Sequence, residues 1–320
     1  MSGRDVRRLA ARASNMTHEA KRDIVARVAA GADALGVTDI YITREPFQIS
    51  TLALEHMDLS ARVHVINHTL KNDASDTWRS VQAFLQAGCE TFVSLGGDGT
   101  NRAIVRCAPD VTLIPLSTGT NNVFPVLAEA TVAGAVAGLH ATDKLPRRAD
   151  LMSRAKVLRV FDGQTEIDAG LIDAVLLKDD HTGNLLPFDT DRLERLLLTR
   201  AEPNSIGMSP IGGYLQPVFA DEDRGLLVVM GPGRTVCAPV APGLYRDVDV
   251  ARYEPVALNM PVVFPGPGVL ALDGDRDIQI PSGESLQVVV RRDGPYVINI
   301  EAAMRWAVAS GMMSASMQNV

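Results

Sequence analysis

The densest group of residues able to do chemistry is Gly96-Gly97-Asp98-Gly99-Thr100, which directly follows the apolar run Thr91-Phe92-Val93-Ser94-Leu95. Glycines let a backbone turn sharply and bring its N–H groups close to an anion, and a helix starting there would aim its partially positive N-terminus at the same place. Phosphate is the natural guest of such a loop. At the carboxyl end of a parallel strand, Asp98 could deprotonate a hydroxyl nucleophile or hold Mg2+ through water. On local composition alone the loop reads equally well as a tight turn closed by an aspartate cap, because glycine-rich strand-to-helix turns are common.

A second loop of the same kind follows. The apolar stretch 112–116 runs into Ser117-Thr118-Gly119-Thr120-Asn121-Asn122, six small polar residues with hydroxyl and amide groups suited to phosphate or ribose. Two such loops on successive parallel strands share one sheet edge, where open α/β sheets bind nucleotides. The pair is a far stronger signal than either loop alone.

Positioning these loops requires an α/β scaffold. Short β-branched runs at 39–43, 62–67, 91–95 and 112–116 alternate with helical patterns, which predicts parallel βαβ units. Ile24, Val28, Ala32 and Leu35 form one helical stripe, and Trp78, Val81 and Leu85 form another. A further helix is expected from Pro125 to about Leu139, burying Val132, Val136 and Leu139. After residue 148 the pattern changes to strands and turns. Strands are predicted at 157–161, 170–177, 226–230, 286–290 and 297–300, with Asp162-Gly163, Asp273-Gly274 and Asp293-Gly294 as turns. Helices are expected only near 192–200, where Leu193, Leu196 and Leu197 share a face, and from about Glu301. The expected class is therefore α/β: a Rossmann-like parallel-sheet domain over 1–148 and a β-rich, sandwich-like domain over 149–295.

Composition narrows the function classes. The 320 residues are 46% hydrophobic and carry a formal net charge of −7, which argues against disorder and against general nucleic-acid binding. No apolar stretch reaches the ~18 residues of a membrane span; the segment 257–272 is broken by Asn259, Pro261, Pro265 and Pro267. Cys89, Cys107 and Cys237 lack any C-x-x-C spacing, so neither a disulfide framework nor a zinc site is expected and a cytoplasmic location fits best. The six histidines show no metal spacing and read as surface or packing residues; His68 alone falls at the sheet edge of the two loops. Asp179-Asp180-His181 reads as an exposed loop, and the pairs Arg147-Arg148 and Arg291-Arg292 as solvated surface. Met312, Met313 and Met317 read as a frayed tail or an oligomer contact.

The complete Gly-Gly-Asp-Gly-Thr run at 96–100 and the second loop, continued by Val123-Phe124, resemble the NAD kinase and diacylglycerol kinase superfamily, and most of all its acetoin catabolism protein X branch. The resemblance covers nearly the whole chain. It implies an N-terminal α/β domain, a β-rich second domain, a segment 296–320 returning to the first, and a site in the cleft between them. It also implies that Asp98 acts on the acceptor hydroxyl, that Gly96, Gly97, Gly99, Thr100 and Asn101 shape the phosphate site, and that Ser117, Thr118, Gly119, Thr120, Asn121 and Asn122 contact the nucleotide. Leu171-Ile172-Asp173 is similar to the family's Asn-Glu motif, with Ile172 for the asparagine, which carries Asp173 into the binding set. Ser209-Pro210-Ile211-Gly212-Gly213 is similar to the T-P-T-G-S stretch and adds Ser209, Gly212 and Gly213, with Ile211 and Gly213 in place of two hydroxyl residues. Asp273-Gly274-Asp275 resembles an element that brings a second carboxylate to the chemistry: Asp275 as a catalytic group and Asp273 as a binding one. Against this, an aspartate-glycine pair is also an ordinary hairpin turn. Relatives open with a strand and an N-P-x-S-G loop, so a chain starting Met1-Ser2-Gly3-Arg4 reads as shorter by one strand.

These readings converge on a small-molecule kinase using Mg2+ and ATP or another phosphoryl donor, with NAD as candidate acceptor and a homo-oligomer implied by the family. A site that hydrogen-bonds its substrate discriminates through those groups, so the changes at Ile172, Ile211 and Gly213 point to an altered acceptor. A non-catalytic nucleotide sensor is the alternative. A lipid kinase ranks last, since nothing in the sequence advertises a greasy channel or membrane-binding face.

Overall fold

The computed structural model describes residues 16–119, 122–184 and 189–314. Its first part alternates as expected: α1 (His18–Ala34), β1 (Asp39–Thr43), α2 (Ile49–Leu54), β2 (Arg62–Ile66), α3 (Ala74–Gln86), β3 (Thr91–Gly96), α4 (Asp98–Cys107), β4 (Thr112–Ser117) and α5 (Ala130–Ala141). β5 (Met152–Arg154), β6 (Val157–Asp162), β7 (Thr165–Gly170), β8 (Asp173–Leu177) and β9 (Leu193–Leu198) follow. A short α6 (Ser209–Gly213) precedes β10 (Arg224–Ala241), β11 (Leu244–Ala257), β12 (Pro261–Pro265), β13 (Gly268–Leu272), β14 (Asp275–Ile280) and β15 (Ser285–Arg291), and the chain then forms β16 (Tyr296–Ile298) and α7 (Ile300–Ala309).

The N-terminal parallel strands form two sheets. β1 and β2 pair with each other, while β3, β4 and β16 run parallel and β5 closes the second sheet antiparallel, in the order β3-β4-β16-β5. Tyr296 and Val297 stand opposite Thr112 and Leu113, so the chain returns to its first sheet near its end. Alternate residues of β4 feed opposite layers, Leu113 packing with Ile104 and Val105 of α4 and Ile114 packing with Val136 and Leu139 of α5. Helix starts are marked by side-chain caps: Asp73 accepts from the Ser75 N–H, Glu129 from Val132 and Asn299 from Ala302.

The C-terminal part is antiparallel β throughout. A six-stranded sheet, β11-β10-β9-β8-β13-β14, packs on a four-stranded one, β12-β15-β6-β7. Leu158, Val160, Val288 and Val290 meet Leu176, Leu197 and Leu270 between them. This is the expected sandwich-like architecture.

Several local expectations are corrected. Residues 193–198 form the buried strand β9 between β8 and β10, not a helix; a leucine run covered on both faces loses the alternation that marks a half-exposed strand. The predicted strand 170–177 is cut by Leu171 and Ile172, and strand 297–300 ends at Ile298. Pro125 lies outside α5, which starts five residues later behind its Glu129 cap. Val132 is about a third exposed, at 36%, and in α3 Leu85 is exposed to a like extent while Phe84 packs inward. Asp293-Gly294 crosses between sheets rather than closing a hairpin. Asp180 is not part of an exposed loop face: its carboxylate pairs with buried Arg276 at 2.8 Å.

Candidate active site

β3 ends at Gly96, Gly97 caps the next helix in an extended conformation, and Asp98 is the first residue of α4. The Asp98 carboxylate accepts the backbone N–H of Phe124 at 2.8 Å and of Val123 at 3.1 Å, which ties the first loop to the end of the second. Burial and the charge of Asp273 push the Asp98 carboxyl up to about 6, against the opposing pull of those N–H groups and of Arg200. A carboxylate near that value is balanced between holding and releasing a proton at neutral pH, as a general base requires.

Asn122 joins the two loops. Its amide donates to Ser117 Oγ at 2.9 Å, and its carbonyl oxygen lies so close to Gly97 that a Cβ there would come within 2.5 Å. A Cβ on Gly119 would meet the same amide at 2.6 Å, so a side chain at either glycine would displace the Asn122 amide from its place between the loops. Thr100 folds back over Gly96, Gly99 and Gly119 lie at the exposed rim, and Thr118 is half-buried beside them. Thr120 and Asn121, expected to contact nucleotide, lie outside the described residues. Asn101 is corrected: it is fully buried, accepting from Ser94 Oγ at 2.6 Å and donating to the Gly97 carbonyl at 2.9 Å, so it braces the loop from within.

The second unit reaches the same place through the β13–β14 hairpin. Asp273 is buried in a left-handed conformation, and its two oxygens accept the N–H groups of Leu171 and Ile172, each at 2.7 Å, and of Asp173 at 3.2 Å. Burial raises its pKa despite Arg102 and those donors. Asp273 therefore holds the break between β7 and β8 and acts on Asp98 by its charge, which replaces the expected contact with a nucleotide; Asp173 is buried in the same knot. Asp275 is half exposed and stands 3.2 Å from Arg102, and a Cβ on Gly99 would lie 3.8 Å from its carboxylate.

Arg102, one turn along α4 from Asp98, was not singled out by sequence. Its buried guanidinium donates to the Ala169 and Leu272 carbonyls at 2.8 and 3.3 Å and pairs with Asp168 at 2.8 Å, so it locks α4 to β7 and β13. Burial opposes its charge, but Asp168, Asp273, Asp275 and Asp277 together hold it protonated.

Arg200 was also missed. It follows β9 at the carboxyl end of that strand, donates to the Val123 carbonyl at 3.3 Å and lies over the Phe124 ring at 5.2 Å. Reading 192–200 as a helix concealed that these residues end a strand at the cleft. By contrast Ser209 is fully buried, donating to the Arg200 carbonyl at 2.8 Å and accepting the Glu202 N–H at 2.9 Å. Gly212 packs under Leu198 and Leu226, and Gly213 against Glu202 and Pro203. Ser209 thereby braces the Arg200 segment from within.

A cavity of about 620 Å3 opens at the carboxyl ends of β1 and β2, lined by Arg44, Gln48, Asn67 and His68 among others; both ring nitrogens of His68 are buried there without a hydrogen-bond partner. A second, of about 350 Å3, includes Ser117, Arg27 and Glu129. Among the described residues no three His, Cys, Asp or Glu groups stand close enough to hold a metal ion by themselves. The carboxylates of Asp98 and of Asp275, the latter 3.8 Å from where a Cβ on Gly99 would lie, are a donor set that fits a Mg2+ ion arriving on donor phosphates, which keeps several waters and takes one or two carboxylates. No helix among the described residues is long and apolar enough to cross a membrane.

Residues 10–143 match the ATP-NAD kinase N-terminal domain, and residues 156–293 match the acetoin catabolism protein X C-terminal domain. Among solved structures, the chain is similar to yeast NADH kinase complexed with NADH (TM-score 0.48, 13% identity, 89% of this chain and 90% of that one). It is also similar to a putative diacylglycerol kinase from Bacillus anthracis (TM-score 0.49, 12% identity, 83% and 96%). Acetoin catabolism protein X of Cupriavidus necator is 32% identical over 323 residues, covering 96% of this chain and 90% of that protein. At that identity and coverage the chain belongs to the acetoin catabolism protein X family, with an ATP-NAD kinase-type N-terminal domain.

Proposed function

We propose that this chain transfers a phosphoryl group from ATP to a hydroxyl of a small molecule, with NAD as the first candidate acceptor. The observation that carries this reading is Asp98: a carboxylate at the start of α4, between two polar loops, with its pKa raised to about 6. The first-turn N–H groups of α4 and the Ser117–Asn122 loop would take the donor phosphates. Mg2+, bound to those phosphates and water with Asp98 or Asp275 nearby, would supply neutralisation of their charge. Asp98 would accept the acceptor's proton as its oxygen attacks in line, while Arg102 fixes the helix that carries it. Following 31P or 32P transfer from Mg·ATP across a panel of hydroxylated small molecules tests the reading, which requires at least one phosphorylated acceptor and loss of transfer in Asp98→Asn.

A second reading, a nucleotide sensor without turnover, draws support from the burial of Ser209, Gly212 and Gly213. It expects calorimetric ATP binding with no transfer to any member of the same panel.

A further inference from the structure

Two guanidinium groups face the candidate site, and they are treated differently by the fold. Arg102 is saturated by Asp168, Asp275, Asp277 and two carbonyls. Arg200, partly buried, has five N–H donors to satisfy, yet among the described residues its hydrogen bond is a single long one, 3.3 Å to the Val123 carbonyl. Desolvation and Arg292 disfavour its charge, and its acidic neighbours answer only weakly: Glu202 is itself pushed toward the neutral form by burial, and Asp98 has a raised pKa. Two further basic groups stand behind it, each already answered. Lys156 is buried and held by the Phe219 and Arg224 carbonyls, each at 2.8 Å, and burial with the charges of Arg292 and Arg200 pushes it down to about 7; Arg292 pairs with Asp223 at 2.6 Å and is held by the carbonyls of Ala220, Asp221 and Glu222. A partly desolvated guanidinium with unused donors is an oxyanion receptor.

Its position says which anion. The two polar loops that would take the donor phosphates lie on the first unit, around Asp98 and Asn122. Arg200 projects from the second unit, beyond the Val123-Phe124 peptide from Asp98, and the Phe124 ring supports one face of its guanidinium. We propose that Arg200 is the recognition group for an anionic substituent, a carboxylate or a phosphate, on the hydroxyl-bearing acceptor. The proposal rests on the reading of Asp98 as the group facing that hydroxyl. A substrate held at one end by Arg200 would present its hydroxyl toward Asp98, and a neutral analogue would leave the guanidinium unmatched.

Anion binding can be read without turnover. The full chain, saturated with Mg·AMP-PNP to fill the donor site, is titrated calorimetrically with sodium phosphate and, separately, with sodium acetate. The wild type should bind at least one of them, and Arg200→Gln should weaken that affinity at least tenfold, whereas Arg305→Gln, which removes an exposed charge on α7, should not change it. A larger Arg200 effect with acetate assigns a carboxylate acceptor, and with phosphate a phosphorylated one. Equal affinities in wild type and Arg200→Gln, or no anion binding to the wild type, would overturn the proposal. AMP-PNP binding by Arg200→Gln checks that the variant is folded. If the wild type does not bind AMP-PNP, the phosphoryl-transfer reading fails, and the same titrations on the nucleotide-free chain still decide the role of Arg200.

Discussion

Asp98 and Arg200 grip the same peptide segment from opposite units of the molecule: the carboxylate accepts the N–H groups of Val123 and Phe124, and the guanidinium donates to the carbonyl of Val123. The carboxylate and the guanidinium are thereby held in a fixed relation through that segment, and Arg200 draws the Asp98 pKa downward. Turnover should rise with pH through about 6, as Asp98 loses its proton, and level off above it. Arg200→Gln removes the cation that favours the ionised form, so the acid limb should move to higher pH. A kcat/KM profile from pH 5 to 8 on both proteins checks this, and superimposable limbs would refute the coupling.

Asp98 also sets a pH dependence of stability. Its folded pKa of about 6 lies above the model-peptide value of 3.8, so the folded state holds the proton more tightly than the unfolded one. The associated stability is complete below about 4 and lost as pH rises through 6. Asp98→Asn removes a charge that is costly to bury, and it should gain about 1–3 kcal/mol at pH 8 and little at pH 4. Urea unfolding at the two pH values measures the difference; a variant less stable than wild type at pH 8 would contradict it.

Arg102 behaves oppositely. Arg102→Met leaves buried Asp168 with Arg106 alone, at 3.2 Å, and removes the guanidinium from the Ala169 and Leu272 carbonyls, a loss of about 2–4 kcal/mol. Arg102→Lys should recover little of it, because one ammonium cannot reproduce the planar fork that spans these partners. Thermal unfolding of both variants tests the ranking.

The crossing of α1 and α5 depends on close approach of the two backbones. A Cβ on Gly134 would come within 2.1 Å of the Val28 carbonyl oxygen, which cannot rotate away as a side chain could. Gly134→Ala should cost about 1–3 kcal/mol, although alanine is the better helix former. Gly163→Ala, at a turn with open space and φ +57, should cost about 1 kcal/mol. Denaturation of the two variants shows whether packing or backbone conformation dominates.

Much of the fold was legible because the first part obeys local rules. Its β-branched runs alternate with helical stripes, and all four predicted strands there appear within a residue of their expected bounds. The place of Asp98 was legible for the same reason, since three glycines and a carboxylate after an apolar run mark a strand-to-helix turn, and Asp98 opens α4. What escaped depended on tertiary context. Leu193 to Leu198 has no periodicity that separates a buried strand from a helix, and the error hid Arg200 at its end. Arg102 is an ordinary helical arginine until β7 and the β13–β14 hairpin arrive beside it. Asn101 and Ser209 carry the right polar groups, but the fold spends them on internal hydrogen bonds.

The most direct measurement is NADP formation from Mg·ATP and NAD by this chain and by Asp98→Asn. Transfer by the wild type, reduced about a hundredfold or more in the variant, is the predicted result. Equal NADP formation by both proteins would contradict the role of Asp98, and ATP binding with no NADP from either would remove NAD as the acceptor.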